Sequence, residues 1–110
     1  RTLGDKPGLA WALNNLAFRY SAAGKAADAA VAQKEVRDIY QALFDGGGAY
    51  LPQLAEAALV LAKFLISANQ HAEAKQPAQQ AVDLYERLAA ADPGYAPRLQ
   101  EAKEVRARLG

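Results

Sequence analysis

Shifted by 45 residues, the chain lies on itself without a gap. When positions 1–65 are compared with 46–110, 19 of the 65 pairs are identical. Alanine inflates that figure, but other residues keep the same frame. Pro7/Pro52, Leu9/Leu54, Leu16/Leu61, Tyr40/Tyr85, Leu43/Leu88, Tyr50/Tyr95 and Pro52/Pro97 all coincide. A chain that repeats in this way is not built around one private core. Each unit carries an apolar face that it cannot bury alone, and stacking makes those faces one continuous core. In 110 residues there is room for two units and part of a third.

Within each unit the apolar residues recur at three and four, the period of a helix. Leu9, Leu13, Leu16, Ala17 and Tyr20 make one such stripe, opened by Pro7, which suits a first helical turn. Asp5 or Lys6 would precede it as the cap, and Gly24 supplies a left-handed stop. A second helix is predicted from about Lys25 to Leu43 or Phe44, buried through Ala29, Ala32, Val36, Ile39, Tyr40 and Leu43. So short a link makes the two helices antiparallel neighbours. Asp45-Gly46-Gly47-Gly48 then reads as a flexible break.

The pattern restarts at Tyr50-Leu51-Pro52, giving a third helix to Ala68 buried through Leu54, Ala58, Leu61, Ala62 and Leu65. Asn69 stands where Gly24 stood, and asparagine is the next-best left-handed residue. A fourth helix spans about His71 to Ala90, with Ala74, Ala78, Ala81, Leu84, Tyr85 and Leu88 buried and Pro77 expected to bend it. After the turn Asp92-Pro93-Gly94, a fifth helix is predicted from Pro97 to Leu109. Its single apolar stripe is Leu99, Ala102, Val105 and Leu109, and its other faces are charged, as a solvating end helix requires. The expected organisation is an all-α, right-handed α–α superhelix of five antiparallel helices. It has a lead-in over 1–5, repeats over 6–49 and 50–94, and a capping helix over 95–110, the alternative for that last helix being the truncated first half of a third repeat.

Leu13, Leu16-Ala17, Tyr20, Gly24 and Ala29, with Leu61-Ala62, Leu65, Asn69 and Ala74, resemble the tetratricopeptide repeat. The usual unit has about 34 residues, so this one is long, with the excess in the second helix and the loop behind it. Asp5-Lys6-Pro7, Leu13-Asn14-Asn15-Leu16-Ala17 and Gly24-Lys25 are similar to the kinesin light chain type and its bacterial relatives. The resemblance implies a protein-interaction module whose first helices line a concave face. It places Trp11, Asn14, Asn15 and Phe18 there, then Glu56, Leu59, Lys63 and Ser67, then Glu101, Glu104 and Arg108. In such repeats the second asparagine of the pair contacts bound peptide, which maps to Asn15. Leu59-Val60 interrupts that ladder in the next unit. The carboxylate clamp that captures chaperone C-termini does not fit, because its places hold Asn14, Phe18, Glu101 and Val105.

Chemistry has little to work with. His71 stands alone, which makes neither a metal site nor a convincing base. Gly46-Gly47-Gly48 lacks the lysine and hydroxyl residue of a phosphate loop, and Ser21 and Ser67 have no His/Asp partners in pattern. With no cysteine there is neither a disulfide nor a thiolate zinc site. We therefore expect no enzyme and no cofactor. Thirteen basic against 12 acidic residues give a net charge of +1, without the basic excess that nucleic acid requires. No apolar run is long enough to span a membrane, and no signal-peptide pattern opens the chain, so a cytoplasmic protein is expected. The first residue is Arg1 rather than methionine, as expected of a processed chain or part of a longer protein. The expected partner is a protein or peptide. A second reading is a spacer or oligomerisation arm of a larger multidomain protein, such as a bacterial regulator, pairing copies through the repeat ends with Gly46–Gly48 as hinge.

Overall fold

A computed structural model describes residues 6–109, so the lead-in, Asp5 as a cap, and Gly110 lie outside the described residues. Five α-helices follow one another: α1 Lys6–Ala22, α2 Ala26–Gly47, α3 Leu51–Ser67, α4 His71–Ala91 and α5 Ala96–Ala107. A 3-10 turn, Pro93–Tyr95, leads into α5. Each helix packs chiefly on its neighbours in sequence. The shortest dimension is 21 Å, about two helix diameters, so the stack is two helices thick.

The two hairpin turns are copies of each other. Gly24 and Asn69 both adopt the left-handed conformation, at φ 78° and 62°. Behind them the Lys25 N–H donates to the Tyr20 carbonyl at 2.8 Å, and the Gln70 N–H to Leu65 at 2.8 Å. These are Schellman closures, which satisfy carbonyls left open at a helix end. The second helix of each hairpin also meets the helix after it in the same way. Tyr40 packs on Tyr50 with ring centroids 5.8 Å apart, and Tyr85 on Tyr95 at 6.3 Å. All four tyrosines belong to pairs related by the 45-residue shift.

The junction between the hairpins differs from the sequence expectation. α2 does not stop at Phe44 but continues through Gly46 and Gly47, and only Gly48, at φ 75°, ends it. Gln41 Nε2 donates to Asp45 Oδ1 at 3.0 Å along this last turn. Glycine weakens a helix by about 1 kcal/mol relative to alanine but does not forbid one. Two of the three residues expected to form a hinge are therefore helical. Tyr50 then takes φ 70° to enter α3, an uncommon conformation for a side chain with a Cβ.

More than half of the buried apolar residues are alanines, so the helices approach closely. Every residue predicted to be buried in α3 and α4 is buried, with Pro77 among the buried residues of a continuous α4. The α1 stripe is only partly covered. Ala10 and Ala17 are fully enclosed, whereas Leu16 is 40% exposed; its counterpart Leu61 is 2% exposed. Ala102 and Val105 hold α5 onto α3 and α4, with Leu99 and Leu109 half-buried beside them. Gln33, at the position of Ala78, is fully buried, and its side-chain amide has no hydrogen-bond partner among the described residues. Helical periodicity gives no warning of that polar group.

Candidate functional site

Trp11, Asn14, Asn15 and Phe18 lie one helical turn apart along a single flank of α1, and the structure exposes that flank. Trp11 is 68% exposed and Phe18 46%. A cleft of about 140 Å³ opens where α1, α2 and α3 meet. Trp11 and Asn14 line it from α1, Val36 and Tyr40 from α2, and Gln53, Glu56 and Ala57 from α3. Three of the residues expected on the binding face, Trp11, Asn14 and Glu56, thus share one concavity. Asn15 is exposed beside it but does not line it.

Tyr40 and Gln53 were not foreseen there. Tyr40 matches the core stripe of α2, and its hydroxyl is held above its ordinary pKa by burial first, then by Tyr50 and Glu56. Gln53 stands three residues before Glu56, on the same helical stripe, and that spacing was the available signal.

Phe18 does not reach this cleft. It meets Phe64 of α3 edge to face, with ring centroids 5.4 Å apart. Part of its surface therefore packs on the next repeat, with the rest open. Leu59 is a correction. The face expectation put it in contact with solvent, but it is 1% exposed and belongs to the core built by α3, α4 and α5. α3 is covered by helices on both flanks, whereas Asn14, at the same position of α1, is only half-buried.

Further along α3 the face becomes ionic. Lys63 Nζ donates to Glu101 Oε2 of α5 at 2.6 Å, Arg98 Nη1 donates to Glu101 Oε1 at 3.2 Å, and Arg98 Nη2 lies 3.6 Å from Glu56 Oε2. Acids and bases alternate, so the cluster of four carries no net charge. The hydrogen bond from Lys63 is the main reason the Glu101 carboxyl is held below its ordinary range; the charges of Lys63 and Arg98 add to this, and burial opposes it. Arg98 was missed, because nothing local in α5 marks it as the bridge to α3. Arg108 is exposed just beyond α5 and lines no part of the cleft.

A larger cleft, about 310 Å³, lies elsewhere, between α2 and α4. Val31 and Lys34, Glu73 and Gln76, and Leu61 and Leu65 of α3 contribute to it. In its wall Arg37 Nη1 donates to Gln76 Oε1 at 2.8 Å, and also to Gln80 Oε1 at 3.0 Å, clasping the two hairpins together. Sequence reasoning passed over this cleft.

A sequence profile described as tetratricopeptide repeat matches residues 9–46 and again residues 54–93, well over half of the chain. The chain belongs to the tetratricopeptide repeat family. The two tetratricopeptide matches begin at Leu9 and Leu54, 45 positions apart, and leave α5 outside both. Tetratricopeptide repeats generally mediate protein–protein interactions. Neither the curated proteins nor the solved structures contain a match to this chain. No helix among the described residues is long and apolar enough to cross a membrane.

Proposed function

We propose that the chain is a protein-interaction module that binds a peptide segment or partner domain on the face built by α1, α3 and α5. The observation that carries this is the cleft between α1 and α3, where an exposed tryptophan stands beside an asparagine, a glutamine and a glutamate. A large aromatic ring supplies anchoring area, and amides can pair with both the N–H and the C=O of an extended backbone. Trp11, Asn14, Asn15, Phe18, Gln53, Glu56 and Lys63 are the contact residues in this reading. Arg108 stands at its margin, and Leu59, buried in the core, is not among them. The long unit and the Asn14-Asn15 pair favour a groove of the kinesin light chain type. Nothing in the site calls for catalysis or a cofactor. Trp11→Ala with Asn15→Ala is expected to abolish capture of a partner from the source cell while leaving helical circular dichroism unchanged. Undiminished capture rejects the assignment.

A second reading is favoured by Leu16. Its counterpart Leu61 is packed where α3 meets the preceding hairpin, and Leu16 stands on the flank of α1 where a further hairpin would lie. On this reading the stack is an arm that pairs through its first repeat, with a second copy or another repeat. Light scattering distinguishes the two: a dimer that grows with concentration and is lost in Leu16→Glu supports it, and a persistent monomer does not.

A further inference from the structure

We propose that the cleft between α1 and α3 takes a basic side chain of the bound peptide, arginine above all, with its cation held by the Trp11 ring and the Glu56 carboxylate; this rests on the reading of that face as peptide-binding. Five polar or aromatic residues give the cleft its chemistry: Trp11, Asn14, Tyr40, Gln53 and Glu56. Glu56 is the one charged residue among those lining it, and it is an acid.

An exposed tryptophan face attracts a cation through its quadrupole, and arginine is the more frequent partner. The carbonyl oxygens of Asn14 and Gln53 accept hydrogen bonds, and a guanidinium offers five donors to satisfy. The rings of Trp11, exposed, and Tyr40, half-buried, give the methylene stem an apolar surface to lie on. About 140 Å³ is room for one long side chain rather than a packed domain element.

Charges around the cleft leave Glu56 available. Arg98 is the cation paired with it among the described residues, at 3.6 Å, beyond direct hydrogen-bonding distance. Arg98 also donates to Glu101 at 3.2 Å, and Lys63 is engaged by Glu101 at 2.6 Å. Glu56 therefore lines the cleft with its carboxylate free of hydrogen bonds among the described residues. An acidic peptide residue would meet a like charge, and an apolar one would leave the amides unpaired.

Trp11 is the only tryptophan in the chain, so its fluorescence reports this cleft alone. The test titrates the 110-residue chain with acetylated, amidated Ala-Ala-X-Ala-Ala peptides. X is arginine, its uncharged isostere citrulline, leucine or glutamate. Trp11 fluorescence and backbone amide shifts are followed. The arginine peptide is expected to bind about tenfold more tightly than the citrulline peptide. Glu56→Gln should cut that preference to the smaller part that the Trp11 ring supplies, and Glu73→Gln, in the other cleft, should keep it whole. A leucine or glutamate peptide that binds as tightly as arginine overturns the proposal, as does a preference left undiminished by Glu56→Gln. Equal binding of all four peptides at Trp11 and Asn14 removes the charge preference but leaves the peptide-binding face standing. No shift on α1 or α3 with any peptide contradicts both.

Discussion

Alanine at 17 and 62 is the residue-scale device of this fold. Both are fully enclosed, each in the first helix of a hairpin, where the stack has no spare volume. Ala62→Leu adds three carbons there and is expected to cost roughly 1–3 kcal/mol through overpacking. An unchanged melting temperature would contradict that placement. At this scale the sequence was legible where one residue type has one job. Gly24 and Asn69 announced their left-handed turns, and the tyrosine pairs announced their recurrence. It was not legible at Leu59 or Gln33, where exposure depends on what lies across from the residue. The position of Asn14 in α1 is open on one side, whereas α4 and α5 close the equivalent position of α3 over Leu59.

At the scale of the element, α2 is where local reading and structure part. Glycine reads locally as a helix breaker, yet α2 runs through Gly46 and Gly47 and turns only at Gly48. The three glycines should therefore respond differently to alanine. At Gly46 and Gly47 a Cβ meets nothing within 4 Å and φ is not positive. Alanine there is expected to stabilise by about 0.5–1 kcal/mol per site. At Gly48, with φ +75°, alanine is expected to destabilise by about 1 kcal/mol or more despite equally open space. Urea unfolding of the three single variants checks the signs, and three equal shifts would return the segment to a flexible loop. The seam between α3 and α5 has its own signature. Folding lowers the Glu101 pKa, through the Lys63 hydrogen bond first. Its stabilisation is thus complete above the ordinary carboxyl value of 4.5 and is lost as pH falls through the lowered folded value. Melting temperature measured downward from pH 5 should fall less steeply in Glu101→Gln than in the parent. The effect is modest because the pair is partly solvated.

For the whole molecule, the 45-residue frame accounts for the architecture: two hairpins, a fifth helix and copied turns. The frame also makes departures informative. Lys63 and Glu56 reach α5 through ion pairs, whereas their α1 counterparts Phe18 and Trp11 are aromatic and exposed. The stack thus has one face that is ionic at its C-terminal end and aromatic at its N-terminal end. That gradient was readable residue by residue, but the cleft was not, since it needs Tyr40 and Gln53 brought in by packing. The cleft beside Trp11, at about 140 Å³, is smaller than the one of about 310 Å³ between α2 and α4, so size does not choose between them. The deciding measurement is amide chemical-shift mapping of the isotope-labelled chain with a captured partner. Binding through the α1–α3–α5 face predicts shifts concentrated at Trp11, Asn14, Phe18, Gln53, Glu56 and Lys63. Shifts concentrated instead at Val31, Lys34, Glu73 and Gln76 would contradict it.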